Sequence, residues 1–320
     1  MSAKTNHTVL VYYHFPQFLD RYKNLLEKAR QDQNFLICKN RDQIEKNIEK
    51  ADIIFSGSSF PVDILPKAKN LKWIQSMSAG VENFTRSKLI PQDVVLTKPK
   101  GIFGQLMAEY VMTYIFAVIQ NTRTIFENQK KKSWQPLLGD SIRKKTIGIM
   151  GLGSVGSHIA YQLHLSGAEV IGLDEQERTL PYVTREYNGK EMNEFLEMSD
   201  FVVLTLPLTD STEGMMGLDQ FKSMKDSAYL INISRGPLVQ EDALIKALQK
   251  GLIAGAVLDV FEEEPLPEDH PFWTLKNIII TPHISGPSLP EDLVQIFLEN
   301  LRRWEEGRHL AGVVDLRKGY

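Results

Sequence analysis

Short apolar runs alternate with longer polar segments along almost the whole chain. In the first hundred residues the apolar runs predict strands at 9–13, 35–38, 52–56, 71–77 and 94–97. The charged segments between them, such as 19–30 and 42–50, have the composition of helices. Strands that alternate with helices form βα units, so this part of the chain is predicted to build a parallel sheet.

A second alternation follows a long helix that is predicted at 103–132. Its apolar runs predict strands at 146–150, 168–173, 201–206, 228–233, 253–260 and 277–281. Helices are predicted at 154–166 and 242–250, and an amphipathic helix at 290–307 closes the pattern. The sequence therefore predicts an α/β protein with two domains, each built on a parallel, doubly wound sheet.

Composition narrows the class of protein without changing this fold. The 320 residues are 42% hydrophobic and 24% charged, as in ordinary globular proteins, and suffice for about two domains. The formal net charge is −3, so the composition lacks the excess of basic residues that is typical of proteins that bind nucleic acid. The run 111–119 has about half the ~20 apolar residues that a membrane span needs. We therefore expect a soluble, cytoplasmic protein with neither a nucleic acid nor a membrane as its partner.

The cysteine content argues against a disulfide-rich protein and against a zinc protein. Cys38 is the sole cysteine, so the chain has no internal disulfide, and we interpret Cys38 as a small apolar residue near a strand. No cluster of cysteine and histidine has the spacing of zinc ligands, so a metal site is not expected.

The strongest local signal is Gly151-Leu-Gly-Ser-Val-Gly156, a G-x-G-x-x-G sequence. It follows a predicted strand and opens a predicted helix, and the acidic Asp174 stands 18 residues after Gly156. Together these features are typical of a dinucleotide-binding turn rather than of an ordinary glycine turn. Gly151 permits the tight turn, Gly153 leaves the backbone open to a pyrophosphate, and Gly156 lets helix and strand pack closely.

The charge of Asp174 favours NAD over NADP as the cofactor. Its carboxylate can accept hydrogen bonds from the adenine ribose hydroxyls, and together with Glu175 it would repel a 2′-phosphate. Arg178, four residues further on, keeps NADP open as the alternative. The first helical residues, Ser154 and Val155, would offer free N–H groups and the positive end of the helix dipole to the phosphates.

Three ionisable residues follow predicted strands in the second half of the chain: Arg235, Glu264 and His283. The carboxyl ends of consecutive strands are where open α/β sheets bind ligands. Reduction of a keto acid needs a cation for the carboxylate, an acid for the developing alkoxide and a partner that keeps this acid protonated. Taken alone, each residue also has an ordinary explanation, as a surface arginine, a solvated glutamate or a structural histidine.

Several motifs together resemble the D-isomer-specific 2-hydroxyacid dehydrogenase family, and the resemblance covers nearly the whole chain. They are the glycine motif with Asp174, Leu204-Thr-Leu-Pro-Leu-Thr209, Asn232-Ile-Ser-Arg-Gly236, Gly255-Ala-Val-Leu-Asp-Val260 with Glu264-Pro265, and Thr281-Pro-His283. The closing Lys318-Gly-Tyr320, with the short stretch after Asp174, is similar to a branch of glyoxylate/hydroxypyruvate reductases. The resemblance implies an NAD-dependent oxidoreductase that interconverts small 2-keto acids, of the glyoxylate and hydroxypyruvate type, and D-2-hydroxy acids.

The resemblance also implies a role for each candidate catalytic residue. His283 would be the proton donor in reduction, Glu264 its partner, and Arg235 the cation that orients the substrate carboxylate. A planar guanidinium suits that carboxylate better than an ammonium group. Relatives with formate dehydrogenase activity have glutamine in place of Glu264, which disfavours that activity here. A loop of small residues is implied to hold the substrate carboxylate through its N–H groups, namely Ser78, Ala79, Gly80 and Val81.

Further contacts are implied on the cofactor side. They fall at Leu206, Pro207, Thr212 and Ile233, and at Asp259 for the nicotinamide carboxamide. A homodimer through the cofactor domain is the family expectation. Trp134 is open to two interpretations, as a side chain that lines the partner's substrate pocket or as a plain interface residue. A function of another class also stays open, that of an NAD(H)-sensing regulatory protein like the corepressor branch of the superfamily.

The motifs finally imply how the chain is divided into domains. Residues 101–286 are expected to form an NAD-binding Rossmann domain. Residues 1–100 and 287–320 are expected to form a discontinuous, flavodoxin-like substrate domain into which the Rossmann domain is inserted.

Overall fold

In residues 6–317 and Gly319, which the computed structural model describes, twelve strands form two parallel sheets. The first unit holds the chain up to Ile102 and from Ser288 onward, and the second unit is Phe103–Pro287. The strands are β1 (Thr8–Tyr12), β2 (Asn34–Cys38), β3 (Ile53–Ser56), β4 (Trp73–Ser76), β5 (Val95–Thr97), β6 (Thr146–Met150), β7 (Glu169–Leu173), β8 (Arg185–Tyr187), β9 (Phe201–Leu204), β10 (Tyr229–Asn232), β11 (Gly255–Leu258) and β12 (Ile278–Ile280). The helices are α1 (Pro16–Ala29), α2 (Arg41–Asn47), α3 (Glu82–Ser87), α4 (Phe103–Ile119), α5 (Thr122–Lys130), α6 (Ser154–Leu165), α7 (Met192–Met198), α8 (Leu218–Ser223), α9 (Glu241–Lys250) and α10 (Pro290–Glu305).

The sheet of the first unit has the strand order β2-β1-β3-β4-β5, with every pair parallel. This is the flavodoxin-like order, and it reverses direction between β1 and β3. The amphipathic stripe of α10 explains how one face of the sheet is covered, because Phe297 stacks on Phe55 at 4.6 Å between ring centroids. Leu293 and Leu301 of the same stripe are fully buried in that core.

The sheet of the second unit has the order β12-β11-β10-β9-β6-β7-β8, and its pairs are again parallel. Its β6 is buried at all five positions, as expected of a strand covered on both faces. Helices α4 and α6 pack against each other over one core, while α7, α8 and α9 cover another. The order reverses between β6 and β9, so this is a Rossmann-type sheet with its switch point at the end of β6.

The structure differs from the sequence prediction at the long helix and at an edge strand. The helix predicted at 103–132 is wrong as a single element, because it breaks into α4 and α5 at Asn121, whose φ of 54° is left-handed. The edge strand β8 was not predicted, since it has only three residues and two of them, Arg185 and Glu186, are charged. Both differences lie outside β10, β11 and β12, the strands that the candidate catalytic residues follow.

Other sequence predictions concern single residues and the chain ends. Cys38 ends β2 and is fully buried, and burial raises the pKa of its thiol to about 11, so it is an inert apolar residue as predicted. Within residues 6–317 and Gly319, no helix is long and apolar enough to cross a bilayer. Lys318 and Tyr320, which carry part of the resemblance to the reductase branch, lie outside the described residues.

Candidate active site

The glycine turn of the second unit lies at the switch point of its sheet, between β6 and α6. Gly151 has a φ of +97°, which favours glycine, and a Cβ on Gly156 would lie 1.9 Å from the Gly151 carbonyl oxygen. A Cβ on Gly153 would meet nothing within 4 Å, so the amino end of α6 is open there. Ser154 and Val155 form the first turn of α6 behind this opening. An open helix terminus with free N–H groups can hold the phosphates of a dinucleotide.

Asp174 follows β7 and faces the glycine turn. Its Oδ2 accepts a hydrogen bond from the Leu152 amide at 2.7 Å, and its Oδ1 accepts one from the Gln176 amide at 2.9 Å. Arg178 Nε lies 3.6 Å from Asp174 Oδ2. The acidic residue and the glycine turn therefore form one continuous surface, as a dinucleotide site needs.

The predicted contacts after β9 and β10 line the same end of the sheet. The Leu206 side chain lies against Gly151, and Ser234 Oγ donates to the Leu206 carbonyl. Thr212 Oγ1 donates to the Pro207 carbonyl at 2.7 Å, which folds the loop after β9 back on itself. Ile233 is buried directly after β10. These residues are available to form a wall beside the glycine turn.

His283 and Glu264 are hydrogen-bonded, although 19 residues separate them in the sequence. His283 Nδ1 lies 2.7 Å from Glu264 Oε2, and Glu264 Oε1 accepts from the Phe261 amide at 3.0 Å. The His283 side chain remains half-exposed, with a relative accessibility of 52%. Its Nε2 is therefore the ring nitrogen available to a substrate, while Nδ1 is held by the carboxylate.

The electrostatics of Glu264 favour its ionised form. Burial by itself raises the pKa of Glu264, but the hydrogen bonds from His283 and from the Phe261 amide outweigh it. The charges of His283 and Arg235 act in the same direction, so the pKa of this carboxyl lies below its ordinary value. A carboxylate that is ionised at neutral pH can stabilise a protonated imidazole.

Arg235 follows β10 and is half-buried near this pair. Its Nη1 donates to the Ser234 carbonyl at 2.5 Å, and its own carbonyl accepts from Asn232 Nδ2 at 2.9 Å. These bonds fix both the backbone and the guanidinium. The structure thus brings Arg235, Glu264 and His283 together at the ends of β10, β11 and β12.

Asp259 holds the loop that carries His283. It is fully buried, and its Oδ1 accepts from Thr281 Oγ1 at 2.6 Å and from the Ile284 amide at 2.8 Å. Its Oδ2 accepts from the Ser285 amide at 2.8 Å, and its carbonyl accepts from the His283 amide at 2.9 Å. Both carboxylate oxygens are thus used by the protein, and the predicted contact of Asp259 with a nicotinamide carboxamide stays a prediction.

Sequence reasoning missed the extension of this network to α4. Tyr110 Oη lies 2.6 Å from Thr281 Oγ1, across 171 residues of sequence. The Thr-Pro-His motif marks Thr281 as a residue next to the catalytic candidate, but no local signal identifies Tyr110 as its partner. The chain Tyr110–Thr281–Asp259 anchors the His283 loop to both a helix and a strand.

The predicted carboxylate-binding loop belongs to the first unit and follows β4. Ser78 is held there by its amide, which donates to Ser76 Oγ at 3.0 Å, and by its Oγ, which accepts from the Ser58 amide at 3.3 Å. Ala79 is exposed, Gly80 and Val81 are buried, and Val81 caps α3. In the described parts of both units, no group of three or more His, Cys, Asp or Glu side chains is arranged to hold a metal ion.

Known proteins share both the sequence and the fold. The sequence profile of the D-isomer specific 2-hydroxyacid dehydrogenase NAD binding domain matches residues 112–285. Glyoxylate/hydroxypyruvate reductase B of Serratia proteamaculans is 34% identical over 282 residues, which cover 83% of this chain and 86% of that protein. A D-isomer specific 2-hydroxyacid dehydrogenase family protein from Aeromonas salmonicida subsp. salmonicida has a TM-score of 0.90 and 34% identity, covering 98% of this chain and 100% of its own.

A second solved structure is an NADPH-dependent glyoxylate/hydroxypyruvate reductase from Sinorhizobium meliloti in complex with NADP and sulfate. It has a TM-score of 0.91 and 28% identity, and the match covers 98% of this chain and 100% of that one. The profile match spans more than half of the chain, and the curated relative covers most of it. The chain therefore belongs to the D-isomer specific 2-hydroxyacid dehydrogenase family.

Proposed function

We propose that this protein reduces a small 2-keto acid of the glyoxylate or hydroxypyruvate type to the D-2-hydroxy acid with a nicotinamide dinucleotide. The observation that carries the proposal is the hydrogen-bonded pair His283–Glu264, at 2.7 Å, beside Arg235 in a Rossmann unit. The similarity to the glyoxylate/hydroxypyruvate reductase B of Serratia proteamaculans supports this substrate class. The alternative of an NAD(H)-sensing regulator gains no support from these relatives.

The residues of the second unit fit the dinucleotide. The opening at Gly153 and the amino end of α6 would take the pyrophosphate, and Asp174 would take the adenine ribose. When bound, the nicotinamide supplies the hydride. Residues 101–286 are accordingly proposed as the cofactor domain, and residues 1–100 with 287–320 as the substrate domain.

Each catalytic residue then has its own proposed role in the reaction. His283 gives a proton from Nε2 to the developing alkoxide, and Glu264 stabilises the protonated ring through Nδ1. Arg235 binds the substrate carboxylate and polarises the adjacent carbonyl. In the first unit, the loop of residues 78–81 is proposed to offer backbone N–H groups to a substrate carboxylate.

We propose NAD rather than NADP as the preferred cofactor, although the Sinorhizobium meliloti relative is NADPH-dependent. Two carboxylates, Asp174 and Glu175, follow β7 where a 2′-phosphate would sit. Arg178 Nε lies 3.6 Å from Asp174 Oδ2 and so partly compensates the charge of that carboxylate. The local charge therefore favours a ribose hydroxyl over a phosphate.

A single panel of rate measurements tests substrate and cofactor together. We expect NADH oxidation with glyoxylate and hydroxypyruvate, and a kcat/KM for NADH at least tenfold above that for NADPH. In Asp174→Asn, which keeps the size of the side chain but removes its charge and one of its two accepting oxygens, we expect the NADH:NADPH ratio to fall about tenfold.

The matched control for this panel is Glu169→Gln, at the opposite end of β7. It should leave the cofactor ratio within about twofold, because a charge at that distance is screened by solvent. Absence of turnover with every keto acid tested would contradict the proposed reductase. A preference of the unaltered protein for NADPH would contradict only the cofactor assignment.

We also propose that the protein forms a homodimer through its second unit. The segment after α5 carries apolar side chains that the isolated chain leaves in solvent, with Trp134 97% exposed and Leu138 92% exposed. Phe126, at 58% exposure, belongs to the preceding helix. Exposed apolar groups of this size in one segment favour an interface. The cytoplasmic location expected from the sequence stays a prediction.

Sedimentation equilibrium measures this association directly. We expect a mass of twice the 36.4 kDa of the chain, and we expect the double variant Trp134→Ser, Leu138→Ser to raise the dimer Kd at least a hundredfold. Met198→Ser is the matched control, since Met198 is also an exposed apolar side chain of the second unit but belongs to α7, outside the segment after α5. A monomeric mass for the unaltered protein at micromolar concentration would refute the dimer.

A further inference from the structure

The sheet of the first unit has its own topological switch point. Its strand order reverses between β1 and β3, and in open α/β sheets the ligand crevice lies outside the carboxyl ends of the strands at that position. The loops that flank this crevice are residues 13–15, after β1, and residues 57–59, after β3. Neither loop has a role in the function proposed above.

The loop after β1 presents a cluster of aromatic rings to solvent. The ring centroids of His14 and Phe15 are 3.9 Å apart, and those of Tyr13 and His14 are 4.8 Å apart. Phe18, on the first turn of α1, completes the cluster at 6.2 Å from both Tyr13 and Phe15. Phe15 is 45% exposed and Phe18 is 39% exposed. We call these four residues the aromatic cluster.

The cluster is preformed because it is anchored in the core. Tyr13 contacts the fully buried Tyr22 edge to face at 5.5 Å, and Tyr22 contacts Phe55 of β3 in the same way at 6.0 Å. Burial lowers the pKa of His14, so its ring is neutral at neutral pH and suits an apolar neighbour. A rigid, uncharged aromatic surface binds a ligand ring at little entropic cost.

The cluster is also continuous with the proposed carboxylate loop. A Cβ on Gly57 would lie 3.1 Å from Tyr13 Cδ2, so the tyrosine ring rests on the backbone after β3. The next residue, Ser58, donates its amide to Ser78 Oγ at 3.3 Å. The surface therefore runs from the rings through Gly57 and Ser58 to the loop of residues 78–81, within the first unit alone.

We propose that the aromatic cluster is the subsite for the side chain of the 2-keto acid, and that the enzyme accepts keto acids with an aryl side chain. The proposal rests on the proposed function, which places the substrate carboxylate on residues 78–81. With the carboxylate held there, the group beyond the carbonyl extends along the switch-point crevice. Tyr13, His14 and Phe15 are the rings that border that crevice.

The selectivity between two keto acids tests this subsite. The measured quantity is the ratio of kcat/KM for phenylpyruvate to kcat/KM for pyruvate, which differ only in the phenyl ring. We expect this ratio to exceed ten in the unaltered protein and to fall about five- to tenfold in Phe15→Ala, as expected for the loss of one ring–ring contact. Phe15→Tyr, which keeps the ring, should restore the ratio.

The matched control is Leu89→Ala, which removes an exposed apolar side chain of the same unit that lies outside the cluster. It should leave the selectivity ratio unchanged. An unchanged ratio in Phe15→Ala, with both keto acids still reduced, would overturn the aromatic subsite and leave the proposed function intact. Failure of the unaltered protein to reduce any keto acid would overturn both.

Discussion

Replacing His283 with alanine is expected to lower kcat for keto acid reduction by about 10²–10⁴-fold, with a smaller change in KM. The reason is that the half-exposed Nε2 of this ring is the proposed proton donor, while Nδ1 is bound to Glu264 at 2.7 Å. Steady-state rates with saturating NADH measure the effect. The control is His164→Ala, which removes an exposed histidine from the last turn of α6 and should leave kcat within about twofold.

The partner variant Glu264→Gln separates the proton-donor role from a structural role. Because the pKa of Glu264 is lowered in the folded protein, its carboxylate is charged at neutral pH and becomes protonated only as the pH falls below the ordinary carboxyl range. The amide of Glu264→Gln stays neutral at every pH, so the fall in reduction rate that accompanies protonation of Glu264 at acid pH should be absent from the pH profile of this variant. A purely structural role would lower the rate equally at all pH values. Near-normal kcat in His283→Ala would contradict the proton-donor assignment outright.

Replacing Arg235 with alanine is expected to raise the keto acid KM and lower kcat together, so that kcat/KM falls by about 10²–10³-fold. The guanidinium is proposed to hold the carboxylate in the ground state and the developing charge in the transition state. Keto acid titrations at fixed NADH measure both constants. Arg235→Lys keeps the positive charge but loses the planar fork, and it should recover only part of the loss.

Two further measurements separate a loss of substrate binding in Arg235→Ala from a loss of stability or of cofactor binding. Arg235 also donates to the Ser234 carbonyl, so the thermal midpoint of Arg235→Ala should be compared with that of the unaltered protein. The Kd for NADH should stay within about threefold, since Arg235 is not proposed to touch the cofactor. An unchanged keto acid KM would contradict the substrate-binding role.

The elements predicted most accurately are those with the strongest local pattern. The strand β6 has the bounds that the sequence predicts, because its five residues are apolar or small and are buried on both faces. The amphipathic stripe of α10 predicts the buried Leu293, Phe297 and Leu301 for the same reason. The break of the long helix at Asn121 was missed because asparagine favours left-handed positions only moderately, so a single one is a weak stop signal inside an otherwise helical pattern.

The residues of the candidate site also fall into those that local sequence predicts and those that it does not. The positions of Gly151, Gly153 and Gly156 can be derived from spacing, because a turn of adjacent residues depends on local backbone geometry. The contact between His283 and Glu264 cannot, since it depends on two loops that follow different strands. The residue types at the strand ends indicate a chemistry, and only the fold shows which of them lie within hydrogen-bond distance.

By itself, the sequence determined the α/β class, the dinucleotide turn with its acidic residue, and the family. The fold class and the turn follow from patterns within about 30 residues, where periodicity and backbone conformation act locally, and the family follows from several such motifs taken together along the chain. Only the tertiary structure decided that Tyr110, Thr281 and Asp259 anchor the His283 loop, and that the aromatic cluster borders the crevice between β1 and β3. Those contacts depend on the order in which strands pair, and that order is set by long-range packing of buried surfaces rather than by spacing along the chain.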